Sequence, residues 1–157
     1  MITLNSGEFA PEFTLYNQNE KQLSLSNFRG KKNILIYFYP KAMTPGCTTQ
    51  SIELSNISEQ LAELNTIVLG ISPDNTQRLK KFETRDNLSI QLLSDEDHKV
   101  ADLYGAWGEK KFMGKAYNGI HRISFFIDTE GKIRKLFNSF KTKDHHNIVI
   151  KYIKENI

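Results

Sequence analysis

The sequence predicts an α/β protein with a mixed central sheet, flanking helices and an N-terminal β-hairpin. Two apolar runs, Asn33–Tyr39 and Thr66–Ser72, have the composition of buried strands. An amphipathic segment lies between them, and shorter alternating segments flank this unit on both sides. A strand–helix–strand unit takes a right-handed crossover that makes its two strands parallel, whereas hairpins add antiparallel strands. At 157 residues the chain is expected to fold as one domain, residues 1–157.

Alternating apolar and polar residues predict the N-terminal hairpin. Its strands are expected around Phe13–Leu15 and Gln22–Leu25, joined by a turn at Asn17–Glu20. The segment Ser26–Gly30 then predicts a short helical turn that glycine closes, directly before the first buried strand.

Four helices are predicted from capping signals and apolar spacing. The longest is expected from about Pro45 to Asn65, since its apolar residues recur at helical spacing: Leu54, Ile57, Leu61 and Leu64. The other three are expected over Thr76–Arg85 after Pro73–Asn75, over Asp95–Tyr104 with Ser94 as the cap and Asp97 in its third position, and after Asp144 with Ile148, Tyr152 and Ile153 on its apolar side.

The remaining segments predict strands and loops. Ile90–Leu93 is a short strand, and Gly105–Gly119 is a structured loop, with one extended piece at most, that contains aromatic residues among glycines and lysines. Ile120–Asp128 and Ile133–Phe137 form a second hairpin around the tight turn Thr129–Lys132.

Composition excludes several classes of function. The net charge is +3 and no block of Lys or Arg occurs, so nucleic-acid binding is not expected. No signal peptide or apolar membrane span is visible, and we expect a cytoplasmic protein. A lone cysteine cannot form an intrachain disulfide, which fits a reducing compartment. No phosphate-binding glycine loop occurs, and no cofactor is expected.

The lone cysteine, Cys47, is the main candidate for chemistry. Thr44 is a good N-cap and Pro45 suits the first helical position, which places Cys47 in the first turn of the long helix. The free amides and the dipole of that turn favour a thiolate. A small buried core residue is the alternative interpretation. The neighbouring Pro40, Thr44 and Pro45, at a strand-to-helix junction, favour the functional one, because a core cysteine needs none of them.

The segment from Tyr39-Pro40 to Thr44-Pro45-Gly46-Cys47-Thr48-Thr49 resembles the peroxidatic motif of the peroxiredoxins, and most closely the bacterioferritin comigratory protein (Q-type) subfamily. The resemblance extends along most of the chain, through Gly7–Phe13, Leu69–Ser72, Leu92–His98, Tyr104–Lys110 and Gly119–Phe125. It implies a thioredoxin-like fold and thiol-dependent reduction of hydrogen peroxide and organic hydroperoxides.

The resemblance also implies roles for four residues. Cys47 would attack the peroxide as a thiolate, and Thr44 would bond the peroxide oxygen through its hydroxyl. Pro40 would shield the sulfur from water, and Arg122 would reach the site from a neighbouring strand. Gln50 is interpreted as supporting structure.

One departure from the subfamily concerns turnover. Many relatives carry a second, resolving cysteine five residues after the first, where this chain has Ile52, expected on the helix side away from the apolar stripe. The sulfenic acid would therefore need an external thiol, thioredoxin or glutaredoxin with glutathione. We expect a monomer or a weak homodimer.

Other functions stay open from the sequence. Decayed turnover or artificial replacement of cysteines could explain the missing residue. A non-catalytic binding or holdase module with a structural cysteine, and a thiol sensor that oxidises a partner, are the alternatives.

The four histidines are not expected to be functional. His145 and His146 diverge on a helix, so a solvated helix start is favoured over a metal site. His98 is expected on a helix surface. His121 should face away from Arg122 because neighbouring strand residues alternate.

Overall fold

A computed structural model describes residues 4–157 and shows a mixed α/β fold with a central sheet between helices. The strands are β1 Thr14–Asn17, β2 Gln22–Ser24, β3 Asn33–Phe38, β4 Thr66–Ser72, β5 Gln91–Ser94, β6 Trp107–Phe112, β7 Lys115–Ile120, β8 Ser124–Ile127 and β9 Ile133–Phe137. The helices are α1 Pro45–Asn56, α2 Ser58–Glu63, α3 Thr76–Asp86, α4 Lys99–Leu103 and α5 His145–Asn156, with a short 3₁₀ helix at Leu25–Phe28.

The central sheet has seven strands in the order β2-β1-β5-β4-β3-β8-β9. β3, β4 and β5 are parallel to one another, and β1, β2, β8 and β9 add antiparallel pairs at the two sides. This arrangement confirms the predicted mixed sheet and the predicted parallel pairing of the two buried strands. Within residues 4–157, β6 and β7 pair only with each other, as a separate hairpin.

Two apolar clusters cover the two faces of the sheet, and β3 contributes to both because its side chains alternate. Ile34, Ile36 and Phe38 belong to the cluster that also contains Tyr104 and Phe125. Leu35, Tyr37 and Tyr39 belong to the second cluster, together with residues of α1, α3 and α5. Cys47 lies in this second cluster, so the candidate site is on the α1 face of the sheet.

Two predicted helices are shorter than expected. The long helix is interrupted at Ile57, which separates α1 from α2. The predicted helix over Asp95–Tyr104 begins only at Lys99, because Asp95 is buried outside the helix and accepts hydrogen bonds from the amides of Val100 and Ala101.

The predicted loop Gly105–Gly119 is wrong, since β6 and β7 form a regular antiparallel hairpin there. The predicted strand Ile120–Asp128 is also broken, with β7 ending at Ile120 and β8 starting at Ser124. Arg122 therefore lies in a connection between strands rather than within one.

Two predicted apolar positions are placed differently. On α5 the buried side chains are His145, Val149 and Ile153, whereas Ile148 is exposed. Ile52 is half-buried and packs against the cluster that contains Cys47, so it does not point away from the core. Among residues 4–157, no helix combines the length and the apolar character needed to span a membrane.

Candidate active site around Cys47

Cys47 is the third residue of α1, and its side chain has no contact with solvent. Thr44 precedes the helix with an extended backbone, Pro45 occupies the first helical position, and Thr48 N donates to Thr44 O at 2.8 Å. The sulfur therefore lies in the first turn, as predicted. The positive end of the helix dipole favours negative charge there.

Arg122 reaches this sulfur from the β7–β8 connection. Its Nη2 donates to Cys47 Sγ at 3.2 Å and its Nη1 donates to Gln50 Oε1 at 3.0 Å. A Cβ atom at Gly46 would lie 3.0 Å from Nη2, so the missing side chain lets the guanidinium cross the helix start. His121 points elsewhere, since its Nε2 lies 3.0 Å from Glu109 O. The guanidinium is thus fixed by two contacts and supplies positive charge at the sulfur.

Thr44 and Pro40 border the same helix start. The Thr44 hydroxyl donates to Lys41 O at 2.7 Å and caps no amide of α1. Pro40 is half-buried and follows Tyr39, which is fully buried. Met43 has a φ of 66°, in the left-handed region that side chains rarely adopt. The loop before Cys47 is therefore held in an unusual backbone conformation.

A brace from the neighbouring strand explains how this loop is held. Asp74, which follows β4, accepts from Ala42 N at 2.7 Å and from the Ser72 hydroxyl at 2.7 Å. Arg78 pairs with Asp74 Oδ1 at 3.0 Å and donates to Ala42 O at 2.6 Å. Both polar backbone groups of Ala42 are satisfied in this way. Sequence reasoning missed this contribution, although the polar segment directly after β4 was a usable signal.

A layer of buried polar groups lies behind the sulfur. Tyr37 and Ser51 bond through their hydroxyls at 2.8 Å, and burial raises the pKa of Tyr37. Ser124 Oγ lies 2.7 Å from His145 Nε2 in the same interior. Burial lowers the pKa of His145 to about 3, with smaller contributions from the charges of His146 and Arg122. The predicted solvated helix start is therefore wrong for His145, which is a neutral buried ring.

The structure also differs from the predictions for His146 and His98, since both side chains have specific partners. His146 is half-buried and its Nε2 lies 3.0 Å from Glu53 Oε2, which ties α5 to α1. His98 precedes α4 and its ring stacks on Trp107 at a centroid distance of 3.7 Å. No group of three or more His, Cys, Asp or Glu side chains within residues 4–157 could hold a metal ion.

Lys110 on β6 adds a second cation beside Arg122. Its Nζ donates to Ile120 O at 2.7 Å, two residues before Arg122. Burial and the charge of Arg122 lower the pKa of Lys110, while Cys47 acts in the opposite direction. The surroundings of the sulfur thus combine a helix N-terminus and two cations, an arrangement that suits a reaction in which negative charge moves from sulfur to a leaving atom.

The chain resembles known proteins over almost its full length. The profile of the AhpC/TSA family matches residues 6–136. A putative peroxiredoxin bcp of Haemophilus influenzae is 55% identical over 154 residues, which cover 98% of this chain and 99% of that protein. Peroxiredoxin Bcp of Escherichia coli K12 is 49% identical over 156 residues, 99% of both chains.

Solved structures agree with these sequence matches. A structure of Xanthomonas campestris bacterioferritin comigratory protein, determined to study its alkyl peroxide reduction activity, superposes with a TM-score of 0.86 at 26% identity and covers 91% of this chain and 90% of that one. A mutant of Xylella fastidiosa PrxQ shares the fold with a TM-score of 0.92 at 24% identity, covering 99% of this chain and 98% of that one.

Proposed function

The chain belongs to the AhpC/TSA family and is a peroxiredoxin of the Bcp (Q-type) subfamily, and from this premise we propose that Cys47 reduces peroxides as a thiolate held by Arg122. Proteins of this kind are thiol-dependent peroxidases, so the substrate is a peroxide and the reducing equivalents come from a thiol. The 3.2 Å contact between Arg122 Nη2 and Cys47 Sγ at the start of α1 carries the proposal.

In the first step the sulfur attacks one oxygen of the O–O bond. Two electrons pass from sulfur to the peroxide, and the bond breaks. Cys47 becomes a sulfenic acid, and the second oxygen takes up a proton to leave as water or an alcohol. The negative charge therefore moves from Sγ onto the leaving oxygen during the step.

In this proposal the groups around Sγ follow the charge. Arg122 donates to the sulfur before the reaction and can donate to the leaving oxygen as charge develops there. The Thr44 hydroxyl and the Cys47 amide are the further donors at the helix start. Thr44 must turn from the Lys41 carbonyl, which it contacts at 2.7 Å, toward the bound peroxide. Pro40 keeps water from the sulfur.

Access to the sulfur requires a movement. Cys47 has no exposed surface, so a peroxide reaches Sγ only when the groups that cover it shift. The same enclosure excludes water, which strengthens the interaction of the guanidinium with the charge on sulfur.

The second half of the cycle depends on an external thiol. The sequence holds one cysteine, and the position of the resolving cysteine in many relatives is Ile52. An external thiol condenses with the sulfenic acid, releasing water and forming a mixed disulfide, and a second thiol then frees Cys47. Thioredoxin, or glutaredoxin with glutathione, is the proposed donor.

Substitution of Cys47 tests the proposal directly. We expect Cys47→Ser to abolish peroxide consumption in the presence of dithiothreitol while its circular dichroism matches that of the wild type. Equimolar hydrogen peroxide should consume the wild-type thiol and leave one sulfenic acid per chain. A thiol that survives equimolar peroxide would refute the peroxidase site. Rapid sulfenic acid formation without turnover with any thiol would instead indicate a sensor.

A further inference from the structure

The separate β6–β7 hairpin has two chemically different faces. Lys110 pairs with Tyr117 and Phe112 pairs with Lys115, and directly opposed residues of an antiparallel pair project to the same side. These four residues form one side, which we call the hairpin face. Glu109 and Lys111 lie on the other side, since neighbouring strand residues alternate.

The hairpin face is apolar at its outer end. Phe112 is 67% exposed and Tyr117 is 49% exposed, and Met113 in the connecting turn is 88% exposed. Two exposed aromatic rings and an exposed methionine thus lie within residues 112–117, and grouped exposed apolar side chains are typical of an interaction site. Aromatic residues and methionine are also enriched in protein interfaces.

The hairpin face carries only positive charge. Lys110 and Lys115 lie on it and Arg122 follows at its base, whereas Glu109, the one acidic residue between Trp107 and Arg122, projects from the opposite side. A partner that covers this face must therefore bring carboxylates.

The base of this face adjoins the active site. Lys110 and Tyr117 both lie over Gly119, where a Cβ atom would be 3.2 Å from each side chain. Lys110 Nζ is bound to Ile120 O at 2.7 Å, and its charge interacts with Arg122 and Cys47. On the opposite face, Trp107 and Ile120 pack into the core. A molecule seated on the hairpin face is thus brought next to the Arg122 side of Cys47.

We propose that the hairpin face is the docking surface for a protein thiol reductant whose thiol lies within an acidic, partly apolar surface. This inference rests on the proposed function, which requires that an external thiol reach Cys47. Apolar contact with Phe112 and Tyr117 supplies affinity, and the lysines orient the acidic partner and speed its approach.

A partner with two thiols can reduce the Cys47 sulfenic acid completely at this surface. The first partner thiol attacks the sulfenic sulfur, water leaves, and a disulfide joins the partner to Cys47. The second partner thiol attacks its own sulfur in that bridge, which releases the Cys47 thiol. The partner has then lost two electrons and holds an internal disulfide.

The test compares changes on the two faces of the same hairpin. Phe112→Ser with Lys115→Glu removes apolar contact and reverses a charge on the hairpin face. Lys111→Glu makes the same charge reversal on the opposite face, and Phe9→Ser removes an aromatic ring that is 58% exposed outside the hairpin. Turnover of hydrogen peroxide is measured with thioredoxin, its reductase and NADPH, with glutaredoxin and glutathione, and with dithiothreitol.

The double variant is expected to raise the concentration of protein reductant that gives half-maximal rate by about tenfold or more. Its rate with dithiothreitol and its rate of sulfenic acid formation should stay within about twofold of the wild type, and both controls should behave like the wild type throughout. Higher salt should weaken the wild type toward the variant, because the steering is electrostatic.

Several results would overturn the docking surface. An unchanged response to both protein reductants would do so, as would a wild type that only small thiols reduce. Equal losses in Lys111→Glu would show that general charge, not this face, is responsible. If sedimentation shows a wild-type dimer that the double variant dissociates, the face belongs to a second copy of the chain. Failure of the wild type to form a sulfenic acid at all would instead refute the proposed function.

Discussion

The helices α1 and α3 start in equivalent places, each after one of two adjacent parallel strands, but their first turns are closed differently. At α3 the Asn75 side chain accepts from Arg78 N at 2.8 Å, as an N-cap normally does. At α1 the Thr44 hydroxyl turns back to Lys41 O at 2.7 Å and caps no amide. The first turn of α3 is thus capped by the Asn75 side chain, whereas the first turn of α1 has no side-chain cap.

The third residue of each helix has a different role. In α3 it is Arg78, whose guanidinium serves Asp74 and Ala42. In α1 it is Cys47, whose sulfur receives a donor from Arg122, 75 residues further along the chain. The junction between β4 and α3 also holds the loop between β3 and α1, since Asp74 and Arg78 satisfy both backbone groups of Ala42. We infer that one junction supplies stability and the other supplies chemistry.

The test with the largest expected effect removes the Arg122 guanidinium that contacts Cys47 at the start of α1. Arg122→Ala should lower the rate of sulfenic acid formation by about 10²–10³-fold, the usual effect of losing one donor that follows developing charge. Stopped-flow measurement of the reaction with hydrogen peroxide gives this rate independently of the reductant.

Arg85→Ala is the matched control, because Arg85 Nη2 donates to Thr48 Oγ1 at 2.9 Å beside the same helix start but does not serve the sulfur. We expect its rate to stay within about threefold of the wild type. Full activity in Arg122→Ala would mean that the positive end of α1 and the remaining donors suffice.

A second test concerns the start of α5, where the ring of the first helical residue, His145, is buried. Because the folded pKa of His145 is lowered to about 3, mainly by burial, the unfolded chain binds this proton first as the pH falls below its ordinary value of about 6.5. The free energy of unfolding should therefore be fully maintained above that pH and decrease down to about pH 3. The contribution is about 2 kcal/mol between pH 7 and pH 5.

Urea unfolding across this range measures the effect. His145→Gln keeps a polar group near the Ser124 hydroxyl but cannot titrate, so its stability should fall by about 2 kcal/mol less than that of the wild type over the same interval. Parallel curves for the two proteins would show that the ring accepts a proton without unfolding.

Most of the central sheet follows from the sequence because its strands are continuous apolar runs or clear alternations. The β6–β7 hairpin does not, because its residues are mostly exposed and its turn uses Met113 and Gly114 at φ values of 51° and 80°. Such a turn is typical of Asn-Gly, and methionine at its first position gives no signal. The interruption at Ile57 is equally silent, since the apolar spacing continues across it.

At the site, local features were predictable and distant ones were not. Thr44, Pro45 and Cys47 lie within four residues, so capping rules place the sulfur correctly. Arg122 could be assigned only through resemblance, because no local pattern links residues so far apart in the chain. The burial of His145 was missed, since a histidine beside Asp144 and His146 is ordinarily a solvated helix start.

The smallest test removes the polar side-chain group of each N-cap residue in turn. Asn75→Ala should lower the free energy of unfolding by about 1 kcal/mol, because it leaves a helix amide without its partner. Thr44→Val should cost about half of that or less, because its hydroxyl bonds a carbonyl and caps nothing. The effects on activity should be reversed, with about a tenfold slower reaction with peroxide in Thr44→Val and no change above twofold in Asn75→Ala.

Urea unfolding and stopped-flow peroxide kinetics on the same two samples separate these outcomes. Equal losses of stability would mean that the Thr44 hydroxyl caps α1 in solution, so both α1 and α3 would have a side-chain cap. A Thr44→Val variant that reacts at the wild-type rate would remove the hydroxyl from the mechanism. Arg122 and the amides of the first turn would then have to stabilise the departing oxygen alone. These amides are available to it because the Thr44 side chain caps none of them.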